Sequence, residues 1–212
     1  MKIKEQLLLD PYENDLVVIY HDFNKIEKGA ISGEEFAACV KAYQESLGGT
    51  AHLVHANGSY EALISALRDI GRARKDHVYR LIIATHGNQG QLWLGNPNEI
   101  KHEWVVAEPE QGKAFISPVT FGTLLKEIFG PGLSISVLSC YFARKEAASV
   151  ATAIRQAAEA TVLYAGTDMV YLNGAKGGRP TASCTGAMVV FKAAAIEVNA
   201  KNIPVFEAFP AK

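Results

Sequence analysis

Short apolar segments rich in β-branched residues alternate along the chain with longer segments of helical periodicity. Five of the apolar segments are predicted to be strands, at residues 16–20, 51–56, 78–85, 133–139 and 161–165. Between them, apolar residues recur every three or four positions, which is the spacing of a helix that buries one face. This alternation favours an α/β fold with a mostly parallel central sheet between helices, in a three-layer α/β/α arrangement.

Capping and turn residues bound several of the helices. Helix starts are indicated by a serine before the apolar periodicity or by a proline at the first helical position. A helix end is indicated by a glycine pair after the last turn. The predicted helices span 33–47, the segment that follows a cap at Asn57 or Ser59, 119–129, 144–160 and 185–199.

Shorter segments complete the predicted outline. Apolar pieces at 91–95, 104–107 and 115–116 predict a small antiparallel β excursion between the third and fourth strands. The Gly/Pro-rich stretch 173–180 predicts a surface loop, and 205–206 a possible edge strand. Because no break in composition divides the chain, we expect one domain over residues 1–212.

Charge and cysteine content limit the partners and the compartment. The 21 Lys and Arg residues balance 22 Asp and Glu residues without a long like-charge run, so neither nucleic acid nor an anionic membrane is expected as a partner. The Leu7–Leu9 triplet is too short for a signal-peptide core, and no apolar run approaches the roughly 20 residues of a spanning helix. Three cysteines cannot all pair, so we expect thiols and a cytoplasmic protein.

Two reactive side chains follow neighbouring strands of the predicted sheet. The third strand runs into His86-Gly87, and the fourth runs into Ser139-Cys140. Ligands of open parallel sheets gather beyond the carboxyl ends of the strands, so the two side chains are expected to meet there. An imidazole beside a thiol can take its proton, and the amides of Gly87 and Cys140 could hold an oxyanion. A helix that begins near Arg144 would also favour the thiolate.

These two motifs resemble those of a known peptidase clan. The blocks LIIATHG and ISVLSC are similar to the His-Gly and Cys blocks of caspases, clostripain, gingipains, separase and bacterial CHAT peptidases. His86 and Cys140 lie 54 residues apart, close to the roughly 50 expected in caspases. The resemblance, nearest to the clostripain and CHAT types, implies a caspase-like fold and a cysteine endopeptidase that acts on peptide or protein substrates. We expect no cofactor and no metal.

The resemblance also bears on specificity. The caspase signature QACRG is absent, since Tyr141, Phe142 and Ala143 follow the nucleophile. Clostripain-like relatives place an acidic residue in the loop after the fifth strand, at the floor of the substrate pocket. By that resemblance Asp168 would select Arg or Lys, although an Asp here is also typical of a turn. Asp22, after the first strand, is a rival that could line the pocket or orient His86.

Other interpretations compete with the peptidase. A strand-end His-Gly is often only a turn, and a Cys after a strand is often a small buried apolar residue. A phosphatase would need an Arg five residues after the Cys, and Arg144 comes too early; a serine nucleophile elbow, a P-loop and a dinucleotide fingerprint do not occur. A non-catalytic interaction module on a caspase-like fold is the main alternative. The oligomeric state is left open.

Further histidines and cysteines have other expected roles. His52 and His55 point to opposite faces of the second strand and are interpreted as structural. His21 is expected to be a loop residue, Cys39 to lie on the core side of a helix, and Cys184 to begin the last helix.

Overall fold

A computed structural model describes residues 15–21, 30–56, 59–75, 77–94, 105–107, 115–144, 148–174, 179–192, 196–199 and 202–204. The helices are α1 (Gly33–Ser46), α2 (Tyr60–Arg74), α3 (Pro118–Phe129) and α4 (Ala148–Ala157). The strands are β1 (Asp15–Tyr20), β2 (Thr50–His55), β3 (Val78–Ala84), β4 (Gly87–Asn88), β5 (Gln91–Trp93), β6 (Val105–Val106), β7 (Phe115–Ile116), β8 (Ser134–Val137), β9 (Val162–Gly166), β10 (Val170–Asn173), β11 (Thr181–Cys184), β12 (Met188–Lys192), β13 (Ile196–Asn199) and β14 (Asn202–Pro204).

A seven-stranded sheet forms the centre of the described structure, in the order β13-β12-β9-β8-β3-β1-β2. The strands from β9 to β2 are parallel, whereas β12 runs antiparallel to β9 and β13 runs antiparallel to β12. In β1, Val17 and Ile19 pack on one face, and Leu16 and Val18 pack on the other. Since both faces are covered, the strand is continuously apolar from Leu16 to Ile19 rather than alternating.

Three helices cover one face of this sheet. α2, α3 and α4 pack their apolar sides on it in one continuous core. Their buried residues in that core include Leu63, Ile64, Leu67, Phe121, Leu125, Ile128, Val150, Ala151 and Ile154. Fully burying a side chain of this kind stabilises the fold by roughly 1.5–3 kcal/mol.

The other face is covered by one helix and a second sheet. α1 packs there with Phe36 and Val40, beside the three-stranded sheet of order β10-β11-β14. The expected α/β fold with a mostly parallel central sheet is confirmed, but this outer layer is partly β rather than wholly helical.

Three helix starts follow the capping signals of the sequence. Ser32 forms a capping box with Glu35 at the start of α1. Ser59, of the two candidates, caps α2 by accepting from the Ala62 N–H. Ser117 caps α3, with a proline in its first turn. These side chains satisfy backbone donors that a helix start leaves without intrahelical partners.

The predicted last helix over 185–199 is wrong. This segment contains β12, which pairs with β9 through Met188–Lys192, and β13. Alanines at 193–195 raise helix propensity, but Val189, Val190 and Phe191 fit the sheet better, and pairing overrides propensity. Cys184 therefore ends strand β11 rather than beginning a helix.

The predicted start of the fourth helix is also too early. α4 begins at Ala148, and Cys140 to Ala143 form a turn instead. Tyr141 has a φ of 58° in that turn, a left-handed conformation that the helical signal of the alanines did not indicate.

The excursion between β3 and β8 forms a four-stranded sheet in the order β4-β5-β6-β7. β4, β5 and β6 pair antiparallel as expected, but β6 and β7 are parallel. Trp104, at the predicted start of one piece, and the predicted strand at 205–206 lie outside the described residues. The predicted loop over 173–180 is described only at its ends, with Asn173 still in β10.

None of the helices in the described part of the chain has both the length and the apolar character that crossing a membrane requires.

Gly122 provides a test of how closely α3 and α4 pack. A β-carbon on Gly122 would lie 2.6 Å from the carbonyl oxygen of Ile154 and 2.8 Å from the Ala157 β-carbon. Gly122→Ala should therefore lower the free energy of unfolding by about 1–2 kcal/mol, although alanine is the better helix former. Thr123→Ala, at the neighbouring exposed position, should change it by less than about 0.5 kcal/mol. Urea unfolding of both variants measures this, and a more stable Gly122→Ala protein would contradict the close packing.

Candidate active site

The predicted histidine and cysteine leave adjacent parallel strands at the same edge of the sheet. β3 and β8 are paired with Ile83 opposite Val137, and the Leu138 N–H donates to the Ile83 carbonyl at 2.7 Å. His86 and Cys140 each lie three residues beyond the paired positions. The pairing therefore brings the two residues to the same level, beyond the carboxyl ends of their strands.

The loops that carry these residues are in direct contact. A β-carbon at Gly87 would lie 2.8 Å from that of Ser139 and 3.3 Å from the Cys140 carbonyl oxygen. The Thr85 and Ser139 hydroxyl oxygens, both buried, lie 3.4 Å apart. Only a glycine permits this approach at position 87, so the sequence pair His-Gly has a steric reason.

The orientation of the Gly87 backbone follows from the β4–β5 hairpin. The Trp93 N–H donates to the His86 carbonyl, so His86 and Trp93 form a hydrogen-bonded pair. Gly87, opposite Leu92, is then in a non-hydrogen-bonded position. Its N–H and C=O point away from β5, as a backbone donor for a ligand must.

His86 is half-buried between two aromatic side chains. Its ring centroid lies 6.1 Å from that of His21 and 6.3 Å from that of Trp93. Burial lowers the pKa of His86, which favours the neutral imidazole.

His21 lies just after β1, outside the strand as expected, and is fully buried. Its Nε2 lies 2.9 Å from the carbonyl oxygen of Ala56. A carbonyl only accepts hydrogen bonds, so this contact places a proton on Nε2.

The sulfur of Cys140 contacts the backbone of β10. The Val170 N–H donates to Sγ at 3.5 Å, and the thiol donates to the Val170 carbonyl at 3.9 Å. Burial raises the pKa of Cys140, the Val170 N–H opposes this, and the nearby Cys184 and Asp168 raise the pKa further. The thiol is therefore protonated at neutral pH in this conformation.

The turn after Cys140 is tied to the end of β9. The Tyr141 N–H donates to the Asp168 carbonyl, and the Ala143 N–H donates to the Gly166 carbonyl, both at 2.9 Å. These bonds hold Tyr141 in a left-handed conformation that costs a non-glycine residue about 1–3 kcal/mol. Residues 140–144 are not helical, so the predicted helix does not begin at Arg144.

Asp168 follows β9, and its carbonyl accepts from the N–H of Tyr141 in the turn after the cysteine. Its Oδ1 accepts from the Met169 N–H at 2.8 Å, which is the turn-forming contact typical of aspartate. Its effect on the pKa of Cys140 means that its carboxylate also acts on the thiol. The rival residue, Asp22, lies outside the described residues.

The remaining histidines of β2 lie away from this cluster. The His52 Nε2 lies 2.9 Å from Asp15 Oδ2, and the His55 ring stacks on Tyr20 with centroids 4.9 Å apart. Within the described residues, no group of three or more His, Cys, Asp or Glu side chains could hold a metal ion.

Sequence reasoning missed one member of the cluster, Val170. It contacts Cys140 through its main chain, and an apolar side chain in a strand gives no chemical signal. The strand prediction could have located it only if β10 had been recognised between the fifth predicted strand and the predicted loop over 173–180.

The pH dependence of thiol alkylation tests the neutral state of the cluster. Iodoacetamide consumes the thiolate, and burial raises the pKa of Cys140, so its alkylation should rise with pH with a midpoint above the ordinary cysteine value of about 8.5. Asp168→Asn should move the midpoint to lower pH, because the negative charge that raises the pKa is removed. Mass spectrometry of the Cys140 peptide follows the reaction. A midpoint below neutral pH would instead indicate a preformed thiolate–imidazolium pair.

Comparisons with known proteins find a likeness to solved structures but not to a family or a curated protein. The chain matches no protein-family model and no curated protein. It is similar to the crystal structure of a secreted C11 cysteine protease from Bacteroides thetaiotaomicron, named iotapain, with a TM-score of 0.42 and 12% sequence identity. The likeness covers 74% of this chain and 53% of that protein, so this chain spans about half the length of the protease.

Proposed function

We propose that this chain is a cysteine endopeptidase in which Cys140 is the nucleophile and His86 is the general base. One observation carries the proposal: the loops that bear these residues leave adjacent parallel strands and touch each other, with Gly87 packed against Ser139 and Cys140. A thiol and an imidazole held at one sheet edge are the parts that acyl transfer requires.

The resting pair is neutral in this mechanism. Burial raises the pKa of Cys140 and lowers that of His86, so neither group is charged before substrate binds. As Sγ attacks the peptide carbonyl carbon, His86 takes the thiol proton, and the carbonyl oxygen becomes an oxyanion. His86 then gives the proton to the leaving amine, and the C–N bond breaks.

Water completes the cycle. His86 removes a proton from a water molecule, whose oxygen attacks the thioester carbon and releases the carboxylic acid. The proton returns to the Cys140 sulfur. In both tetrahedral intermediates the oxyanion is held by the amides of Gly87 and Cys140, and the outward orientation of the Gly87 N–H supports this role.

Asp168 selects a basic residue before the cut bond in this proposal. Its place beside the turn of Cys140, and the effect of its charge on the thiol, support a carboxylate within reach of that substrate side chain. A substrate guanidinium would supply the cationic partner that a half-buried carboxylate requires. Asp22 stays a second candidate for lining the pocket or orienting His86.

The substrate class, the partners and the compartment are part of the same proposal. Peptide or protein is the substrate, neither nucleic acid nor membrane is a partner, and the protein acts in the cytoplasm. The three cysteines are free thiols in the structure, which suits that compartment.

A non-catalytic interaction module is the second candidate. It is favoured by one observation, the raised pKa of Cys140, since a protonated thiol is a poor nucleophile. It gives no reason for the contact between the His-Gly and Ser-Cys loops.

Replacement of the two proposed catalytic side chains tests the peptidase. Cys140→Ala and His86→Ala should each reduce hydrolysis of fluorogenic Arg and Lys peptides by about a thousandfold or more, since a nucleophile and its base act as one unit. Cys39→Ala, which removes a half-buried thiol on α1, is the matched control and should keep wild-type turnover. Unchanged hydrolysis in Cys140→Ala would exclude this nucleophile, and no hydrolysis by the wild type would favour the interaction module.

The charge of Asp168 is tested by its amide counterpart. Asp168→Asn keeps an oxygen that can accept from the Met169 N–H but removes the charge, so kcat/KM for Arg peptides should fall about a hundredfold. Peptides with leucine before the cut bond should change by less than about threefold. Asp69→Asn, an exposed charge on α2, is the control for net charge. An equal fall for both peptide classes would remove Asp168 from the pocket.

A further inference from the structure

The edge of β10 presents backbone groups to the cysteine. Val170 is opposite Cys184, and the Thr185 N–H donates to the Met169 carbonyl. This bond brackets Val170 and Cys184 as a non-hydrogen-bonded pair of the antiparallel ladder. The N–H and C=O of Val170 therefore point away from β11, out of the edge of the three-stranded sheet.

Both of these groups contact the Cys140 sulfur, and they favour different protonation states. The carbonyl, at 3.9 Å, accepts a hydrogen bond from the neutral thiol. The N–H, at 3.5 Å, donates to the sulfur, and this hydrogen bond becomes stronger when the sulfur is negatively charged. The N–H makes the shorter contact. It also opposes the effect of burial on the pKa of Cys140.

We propose that the backbone N–H of Val170 is a further catalytic group of this site, which donates to Sγ of Cys140 and stabilises the thiolate as its proton leaves. The proposal rests on the proposed role of Cys140 as nucleophile. It gives the thiolate a backbone donor within contact distance of the sulfur.

The other titratable groups that the structure describes around the sulfur do not supply this donor. Asp168, in the loop after β9, and Cys184, on β11, both raise the pKa of Cys140 when ionised. His86 follows the neighbouring strand and is neutral at rest, because burial lowers its pKa. Arg144 holds its guanidinium over the Tyr141 ring, 5.8 Å from the centroid.

Leu172 is a matched position on the same strand. It lies two residues beyond Val170, opposite Ala182, so its N–H and C=O also point away from β11. Its carbonyl accepts from the Ile31 N–H at 3.0 Å rather than contacting the cysteine. Removing the outward N–H at Leu172 therefore has the same effect on the strand as removing it at Val170, but it leaves the contacts of the Cys140 thiol intact.

Proline substitution removes each outward N–H in turn. Proline is tolerated in an edge strand where the N–H points out of the sheet, and it keeps the carbonyl. In Val170→Pro, alkylation of Cys140 by iodoacetamide near neutral pH should slow by about ten- to a hundredfold, with its midpoint at higher pH, as expected for one lost hydrogen bond to a charged group. Leu172→Pro should stay within about twofold of wild type. Equal profiles for the two variants, or an unchanged Val170→Pro profile, would overturn the proposal.

An NMR titration keeps the test independent of how well Val170→Pro folds. In the wild-type chain, the Val170 amide proton and nitrogen shifts should follow the ionisation of Cys140 as pH rises. In Cys140→Ala this titration should disappear, while the Leu172 amide is unaffected in both proteins. A Val170 amide that does not respond to ionisation of Cys140 would also overturn the proposal.

These readouts separate the two proposals. If the wild type hydrolyses no peptide but the Val170 amide follows the thiol, the proposed function fails and the hydrogen bond stands. If peptides are hydrolysed and Val170→Pro behaves as Leu172→Pro does, the peptidase stands and the role of Val170 fails.

Discussion

The pairing of β3 with β8 is the constraint on which the candidate site depends. Ile83 is opposite Val137, and the hydrogen bond from Leu138 to Ile83 extends the ladder past the end of β8. Both faces of the sheet are covered, so a one-residue slip would move each side chain of these strands to the opposite face and disrupt the packing on both sides. The core thereby fixes the level at which His86 and Cys140 leave the sheet, and Gly87 allows their loops to touch.

Burial has a second effect on this site, because it decides the charge of each group. Both side chains are partly removed from water, which disfavours the thiolate and the imidazolium alike. A site of this kind stores its proton on sulfur, and the negative charge needs a nearby donor when the proton leaves. β10 offers a backbone donor at the sulfur, since its outer edge is not used in the ladder with β11. The three-stranded sheet is thus part of the site as well as a cover for the core.

The correctly and the wrongly predicted elements differ in the interactions that stabilise them. β1 and β3 contain the continuous apolar runs that a strand buried on both faces requires, whereas β8 alternates serine with isoleucine and valine. Two helix starts were indicated by a serine or proline that caps the backbone locally. The composition of the segment after Cys184 predicts a helix, but the segment contains β12, which pairs with β9. Local propensity does not include the effect of pairing with a strand that is distant in sequence. The start of α4 was misplaced for a similar reason, since bonds from Tyr141 and Ala143 to the end of β9 hold the turn open.

By itself the sequence determined the fold class, the central strands and the edge at which His86 and Cys140 lie. Buried strands can be recognised as apolar runs, and the residues that follow each run mark the carboxyl end of its strand. Only the tertiary structure decided which groups meet the sulfur, how Asp168 and His21 are placed, and that a second sheet covers one face. These features depend on backbone groups brought together from distant segments. Every residue except proline has the same main-chain N–H, so the residue type does not indicate which N–H will contact the sulfur.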